Sequence, residues 1–191
     1  KGMKLYVERH DGCAVTCDDF RLAMSDANNV NLNQFENWYL QSGTPIITII
    51  DSYDPIKKTY TLEINQNCDD TPGLGQLSNE KKPFMIPITI GLLSKITGKE
   101  ILKSKVLVLK EKKETFVFEN INESKPILSL LRNFSAPVKV IYDQQTDDDL
   151  AFLMSHDTDV FNRWDASNRL ATKIILDIAA AATTTTDSDN D

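Results

Sequence analysis

Apolar residues along this chain recur first at helical spacing, then in alternation, then at helical spacing again. Phe20, Ala23, Met24 and Ala27 form a first helical stripe. Thr16 and Asp19 open it with the spacing of a capping box, in which the hydroxyl takes the amide of Asp19 and the carboxylate reaches back. Leu32, Phe35, Trp38 and Tyr39 form a second stripe, started by Asn31 and stopped by Gly43 and Pro45. The spacing predicts a helical pair over 16–42.

From Thr44 the period becomes two. Pro45–Ile50 reads as a buried strand, and Asp51-Ser52-Tyr53-Asp54-Pro55 carries turn chemistry. Thr59–Gln66 alternates Tyr60, Leu62 and Ile64 against Thr59, Thr61, Glu63 and Asn65, the signature of a half-buried antiparallel strand. Cys68 to Lys82, with Pro72, Gly73 and Gly75, reads as a loop. Strands follow at Phe84–Leu92, Ile101–Leu109, Glu114–Glu119, Ile127–Phe134 and Val138–Tyr142; Pro87 cannot donate to a ladder and marks an edge or a bulge. About seven short strands in roughly 100 residues predict a mainly β protein: a seven-stranded antiparallel β-sandwich of immunoglobulin-like size, flanked by α-helices at both ends. The Cys…Trp…Cys signature of true immunoglobulin domains is missing, because both tryptophans lie outside this stretch.

Thr146-Asp147-Asp148-Asp149 opens another helix, its carboxylates favoured by the positive end of the helix dipole. Ser155 to Asp159 interrupts the apolar stripe and caps a second helix carrying Phe161, Trp164, Ala171, Ile174 and Ile178. Beyond Asp177 the Ala, Thr and Asp runs are low in complexity and expected to be disordered.

Composition narrows the functional classes. In 191 residues, 21 Lys and Arg stand against 28 Asp and Glu, a net charge of −7. Such a chain lacks the basic footprint that nucleic acid requires, and no apolar run reaches the length of a membrane span. Neither partner is expected. Cys13, Cys17 and Cys68 are odd in number, contain no C-x-x-C, and follow no secretory leader, so reduced thiols and a cytoplasmic setting are expected. The opening Lys1-Gly2-Met3-Lys4 reads as a cut.

His10 and His156, the two histidines, are far from the i, i+4 spacing of a zinc helix. Cys17 reads as a packed or capping-region thiol. Asp143, Asp147, Asp148 and Asp149 suggest calcium, but lack the glycine and distal glutamate of an EF-hand, and a solvated helix start explains them. Neither histidine sits in a triad motif, and Gly73-Leu74-Gly75 lacks the third glycine of a dinucleotide loop. Lys110, Lys112 and Lys113 with Glu111 and Glu114 read as a solvated turn. The residues alone describe a non-catalytic sandwich with helical flanks; no catalytic, cofactor-binding or metal-ligating residue is expected in it. The other reading is an independent calcium-, protein- or glycan-binding sandwich module.

Four ordered blocks resemble one family. Tyr6-Val7-Glu8-Arg9-His10-Asp11-Gly12-Cys13-Ala14-Val15-Thr16-Cys17-Asp18-Asp19-Phe20 is similar to a segment near the end of the thermolysin-like catalytic domain of the aminopeptidase N family of zinc metallopeptidases. Phe35-Glu36-Asn37-Trp38-Tyr39-Leu40-Gln41-Ser42-Gly43-Thr44-Pro45 resembles the passage into that family's β-sandwich, and Phe134-Ser135-Ala136-Pro137-Val138-Lys139 its last strand. Phe152-Leu153-Met154-Ser155-His156-Asp157 and Phe161-Asn162-Arg163-Trp164-Asp165-Ala166 resemble the start of its C-terminal helical domain.

The resemblance implies three parts: residues 1–43 as the last helices of a catalytic domain, 44–145 as the sandwich, and 146–191 as the start of a helical domain with an acidic tail. It also implies a parent metalloprotease that hydrolyses N-terminal residues from peptides with zinc-activated water. The zinc ligands H-E-x-x-H plus glutamate, the G-x-M-E-N segment and the oxyanion tyrosine are absent here, and neither Tyr6 nor Tyr39 stands in for that tyrosine. The chain is thus expected to be inactive alone, to pack on its own catalytic and helical domains, and to act as a rigid spacer. Trp38, Tyr39, Phe161 and Trp164 are the expected anchors at the junctions.

Overall fold

The structure, a computed structural model, describes residues 1–71 and 75–186. Pro72, Gly73, Leu74 and residues 187–191 lie outside the described residues, with the expectations that fall on them.

Two helices come first, α1 (Gly2–His10) and α2 (Cys17–Asn28). They pack by placing Gly2 against Met24, where a Cβ would overlap the thioether, and Tyr6 edge-on to Phe20 at 5.1 Å. The Thr16/Asp19 capping box forms, with both reciprocal bonds present. The second expected helix is fragmentary: a 3-10 turn at Gln34–Glu36, then one helical turn, α3 (Asn37–Leu40).

Seven strands follow: β1 (Ile46–Asp54), β2 (Thr59–Asn67), β3 (Ile86–Leu93), β4 (Glu100–Leu109), β5 (Lys113–Phe118), β6 (Ile127–Leu130) and β7 (Lys139–Ile141). They form a four-stranded sheet in the order β5-β2-β1-β7 and a three-stranded sheet in the order β4-β3-β6. One buried cluster joins the inner faces, with Ile47, Ile49, Leu62 and Ile64 from the first sheet and Ile86, Ile88, Ile90 and Leu109 from the second. The sandwich is not wholly antiparallel, because β7 runs parallel to β1 through Ile46↔Lys139 and Thr48↔Ile141. Nor is the chain mainly β: about 35% of it is helical and 29% strand.

The expected turn at Asp51–Asp54 is strand. Pairing with β2 continues through Asp54↔Thr59, and the reversal lies in Pro55–Lys58. There Asp54 Oδ1 accepts the amides of Ile56 and Lys57 at 2.9 and 3.0 Å, and Lys58 takes a left-handed φ of 55°. Pro87 sits in the central strand of its sheet, but β6 pairs with β3 only over Ile90–Leu93. At Pro87 one flank of β3 is therefore open, and the missing N–H breaks no ladder. Of the expected turn, residues 110–112 form the reversal while Lys113 and Glu114 already belong to β5; Glu114 Oε1 closes it by accepting the amides of Lys110 and Glu111.

Helices α4 (Asp147–His156) and α5 (Val160–Thr186) close the chain, and α4 starts with a second capping box between Thr146 and Asp149. Helix α5 continues through the Ala and Thr runs to Thr186, where disorder was expected. No glycine or proline interrupts residues 160–186, so nothing in the sequence ends it earlier. Among the described residues no helix is long and apolar enough to cross a membrane.

Candidate functional site: two polar joints at the ends of the sandwich

The first joint connects the N-terminal helices to the sandwich. The 3-10 turn and α3 present Gln34, Asn37, Trp38 and Gln41 to the strand-like segment that leads into β3. That segment has unpaired carbonyls, and the side chains take them. Asn37 Nδ2 and Gln34 Nε2 donate to the Pro83 carbonyl at 2.8 and 3.2 Å, and Gln34 Nε2 also reaches the Lys110 carbonyl at 2.6 Å. Gln41 exchanges bonds with the backbone of Lys82 in both directions. The Trp38 indole donates to the Met85 carbonyl at 2.9 Å while its ring lies 4.9 Å from that of Phe84. Trp38 is thus an anchor, as expected. Tyr39 is not: it is 53% exposed, and among the described residues its ring meets that of Phe35 alone.

The second joint holds the sandwich to α4 and α5, and its centre is Arg132, 1% exposed. Its guanidinium donates to Glu100 at 2.5 Å, Ser104 at 3.0 Å, Asp157 at 3.1 Å and, through Nε, to Ser129 at 2.7 Å. These partners come from β4, β6 and the α4–α5 link, so a single cation ties both sheet and helices. The link is itself fixed. Asp159 caps α5, with Oδ1 accepting the amide of Asn162 and Oδ2 that of Asn133, and Asn162 donates to Ser129 at 2.8 Å. Around Arg132, Leu131, Asn133 and Phe134 all adopt φ between 51° and 56°, a conformation costing about 1–2 kcal/mol each for side chains other than glycine. Phe134 meets Phe161 at 5.4 Å, and Phe161 meets Trp164 at 5.8 Å. Trp164 itself is 60% exposed and does not serve as a packed anchor among the described residues.

Hydrogen bonds from Thr158 and then Arg132 hold the Glu100 carboxyl below its ordinary range. The stabilisation is therefore complete above the ordinary glutamate pKa and disappears as pH falls through the lowered folded value. In urea titrations, wild type should lose more stability than Glu100→Gln between pH 5 and pH 3. Parallel losses would show that Glu100 does not report on the joint.

A third polar cluster lies inside the sandwich end. Asp51, 3% exposed, shares the inward phase of β1 with Ile47 and Ile49 and lies within 3.0 Å of the Lys125 ammonium through both carboxylate oxygens. Burial, then Tyr142 and Asp51, push the Tyr60 hydroxyl far above its usual range; burial and then Asp51 do the same for Tyr142. A cavity of about 330 Å³ adjoins it, lined by Lys95, Lys125, Tyr142, Gln144 and Thr146 among others.

The residues weighed for chemistry do not converge. His10 ends α1 beside Tyr6, and His156 stacks on Phe152 at 4.4 Å at the end of α4. Cys17 is the first residue of α2 and exposed, in the capping region and not packed. Asp147 pairs with Lys173, Asp149 with Thr146 and Lys95, and Asp143 and Asp148 are exposed. No group of three or more His, Cys, Asp or Glu able to hold a metal occurs among the described residues, so the donor set present does not fit zinc.

Residues 43–143 match the family model described as a domain of unknown function (DUF3458) with an Ig-like fold. The chain belongs to that family. Residues 147–190 match the companion DUF3458_C model, described as ARM repeats. The chain is 47% identical over 187 residues to aminopeptidase N of Escherichia coli (strain K12), which covers 94% of this chain and 21% of that protein. It is 42% identical to aminopeptidase N of Haemophilus influenzae, over 89% of this chain and 20% of that one. Among solved structures it is similar to Legionella pneumophila aminopeptidase A in complex with aspartic acid. The TM-score is 0.81 at 34% identity, over 94% of this chain and 19% of that one. This DUF3458 chain is thus homologous to aminopeptidase N over most of its own length and spans about a fifth of these relatives.

Apart from Trp38 and Phe161, the residues of the two joints are ones that sequence reasoning missed. Arg132 lies inside what reads as an apolar strand, and an arginine flanked by Leu130, Leu131 and Phe134 was the available signal. Asp51 in phase with Ile47 and Ile49 was another.

Proposed function

We infer that this DUF3458 segment is a non-catalytic, rigid spacer in a zinc aminopeptidase. In this reading residues 1–43 close the catalytic domain, 44–145 form the sandwich, and 146–191 begin the helical domain. The parent enzyme hydrolyses N-terminal residues from peptides in the cytoplasm, and its zinc ligands and water-activating glutamate lie in the other four-fifths of its length. The observation that carries the spacer role is the pair of joints. Side-chain hydrogen bonds link α3 to the segment before β3, and Arg132 and Ser129 to the α4–α5 link and α5, which supports a restricted angle between sandwich and helices. A fixed angle lets the helical domain cover the peptidase cleft reproducibly, which governs water exclusion and the size of peptide admitted. The names of the homologues support the parent's activity.

The test has two arms. The chain alone, given zinc and an aminoacyl chromogenic substrate, should show no turnover above buffer; turnover would sink the non-catalytic reading. In the parent enzyme, Asn162→Ala should change the ratio of kcat/KM for a long peptide to that for a dipeptide by several-fold. An unchanged ratio with a folded variant would refute the spacer role.

A further inference from the structure

Cys68 and Lys81 form a buried pair that neither joint absorbs. Cys68 is 4% exposed and Lys81 7%. The Lys81 ammonium has three donors, which go to the Cys68 sulfur at 3.6 Å, the Thr71 hydroxyl at 2.9 Å and the Asp69 carbonyl; none of these is a carboxylate. The thiol in turn donates to the Ser42 carbonyl at 3.5 Å. Gly43 covers the pair: with φ of 94°, a Cβ there would stand 3.0 Å from the sulfur and 3.4 Å from Lys81 Nζ. A cavity of about 50 Å³ opens onto both residues, between Gln66, Ser78, Pro83 and Lys112. Its volume admits a molecule the size of water or hydrogen peroxide.

We propose that Cys68 and Lys81 are a peroxide-sensitive modification site that closes into a covalent N–O–S cross-link. The oxidant is hydrogen peroxide, and two molecules are consumed. In the first step sulfur attacks one peroxide oxygen, the O–O bond breaks, and the thiol leaves as sulfenic acid with one water. In the second, Lys81, having released its extra proton to solvent, joins its nitrogen to the sulfenic oxygen. One N–H and one O–H hydrogen pass to the second peroxide, whose O–O bond breaks to give two waters. The sum is an amine, a thiol and two peroxides giving the cross-link and three waters. Reduction by two equivalents of a dithiol, each becoming a disulfide, restores amine and thiol and releases the bridging oxygen as water. The bond would fasten the loop before β3 beneath Ser42 and Gly43, where the N-terminal helices pass into β1, making that joint responsive to oxidation. The inference goes beyond the spacer reading and stands without it.

The experiment treats the full-length protein with hydrogen peroxide, then digests it for tandem mass spectrometry. The expected product is one cross-linked pair of peptides carrying Cys68 and Lys81, heavier by one oxygen and lighter by two hydrogens, and abolished by dithiothreitol. Cys68→Ser should lose it, and Lys81→Arg should leave oxygen on Cys68 alone. The proposal is overturned if Cys68 remains a thiol under peroxide that oxidises the exposed Cys13 and Cys17. It is equally overturned if wild-type Cys68 gains oxygen without joining Lys81. Both readouts come from the wild type, so they hold even where a variant fails to fold.

Discussion

Replacing Arg132 with methionine should lower the unfolding free energy by about 3–5 kcal/mol, the range for removing one partner of a buried ion pair. The magnitude follows from what is left behind, more than from what the arginine contributes. Methionine fills most of the same volume, so cavity formation is a minor part. Asp157, with a side chain wholly buried, would be left without its cationic partner; its Oδ2 has no hydrogen-bond partner even in the native protein. Glu100, with 23% of its side chain accessible, would regain water more easily. The asymmetry gives a second expectation. Asp157→Asn in the Arg132→Met background should recover more stability than Glu100→Gln does, because Asn keeps the Oδ1 that accepts the Asp159 amide at 2.9 Å while removing the stranded charge. Urea unfolding monitored by tryptophan fluorescence decides both points. A loss under about 1 kcal/mol in Arg132→Met would mean that the network only balances its own desolvation.

Much of the sandwich was legible because alternation reports burial on one face, and β2 shows it plainly: Tyr60, Leu62 and Ile64 point inward as read. Boundaries failed where tertiary pairing overrode local chemistry. Asp51 to Asp54 has turn-forming residues, yet every one of them pairs with β2. The strand expected over Ile127–Phe134 stops at Leu130, because Leu131, Asn133 and Phe134 turn left-handed around Arg132. No propensity encodes that conformation for leucine or phenylalanine; it is imposed by where the arginine must sit. Helix α1 lacked a signal for a different reason: Lys1 provides no side-chain cap, and the first turn holds no acid.

The site was less legible than the fold. A metal or nucleophile motif, where a chain carries one, has a spacing that can be sought in the sequence. A joint has none, because its parts are ordinary. Gln34, Asn37 and Gln41 would pass for the polar side of a surface helix, and only the placement of unpaired carbonyls at Lys82, Pro83 and Met85 turns them into a clamp. The clamp also explains why the expected second helix breaks into two short turns: its side chains satisfy another segment's backbone. The aromatic residues divide on the same principle. Trp38 has a carbonyl to meet and is anchored, whereas Tyr39 and Trp164 have none among the described residues.

Gly91→Ala should be nearly as damaging as loss of the arginine, at about 3 kcal/mol, and for a reason that a double-mutant cycle can isolate. Gly91 lies in the middle of β3, paired with Ser129 of β6, and is not one of the glycines with positive φ. Its φ lies outside the left-handed region, although β3 is irregular against β4 between Ile90 and Leu92. Alanine alone in a strand would be expected to gain about 0.5–1 kcal/mol over glycine. The nearest objection comes from the guanidinium, because a Cβ at this position would overlap Arg132 Cζ, with Nη2 and Nε close behind. The planar group rests directly on the bare strand and, held by Glu100, Asp157 and Ser129, has nowhere to move. In the Arg132→Met background the same Cβ meets a flexible thioether, and its cost should fall to about 1 kcal/mol or less, a coupling of about 2 kcal/mol between the two positions. Strict additivity would show that the arginine is not seated on Gly91. A positive coupling of that size would establish that the absence of one side chain in β3 makes room for the cation holding the sandwich to its C-terminal helices.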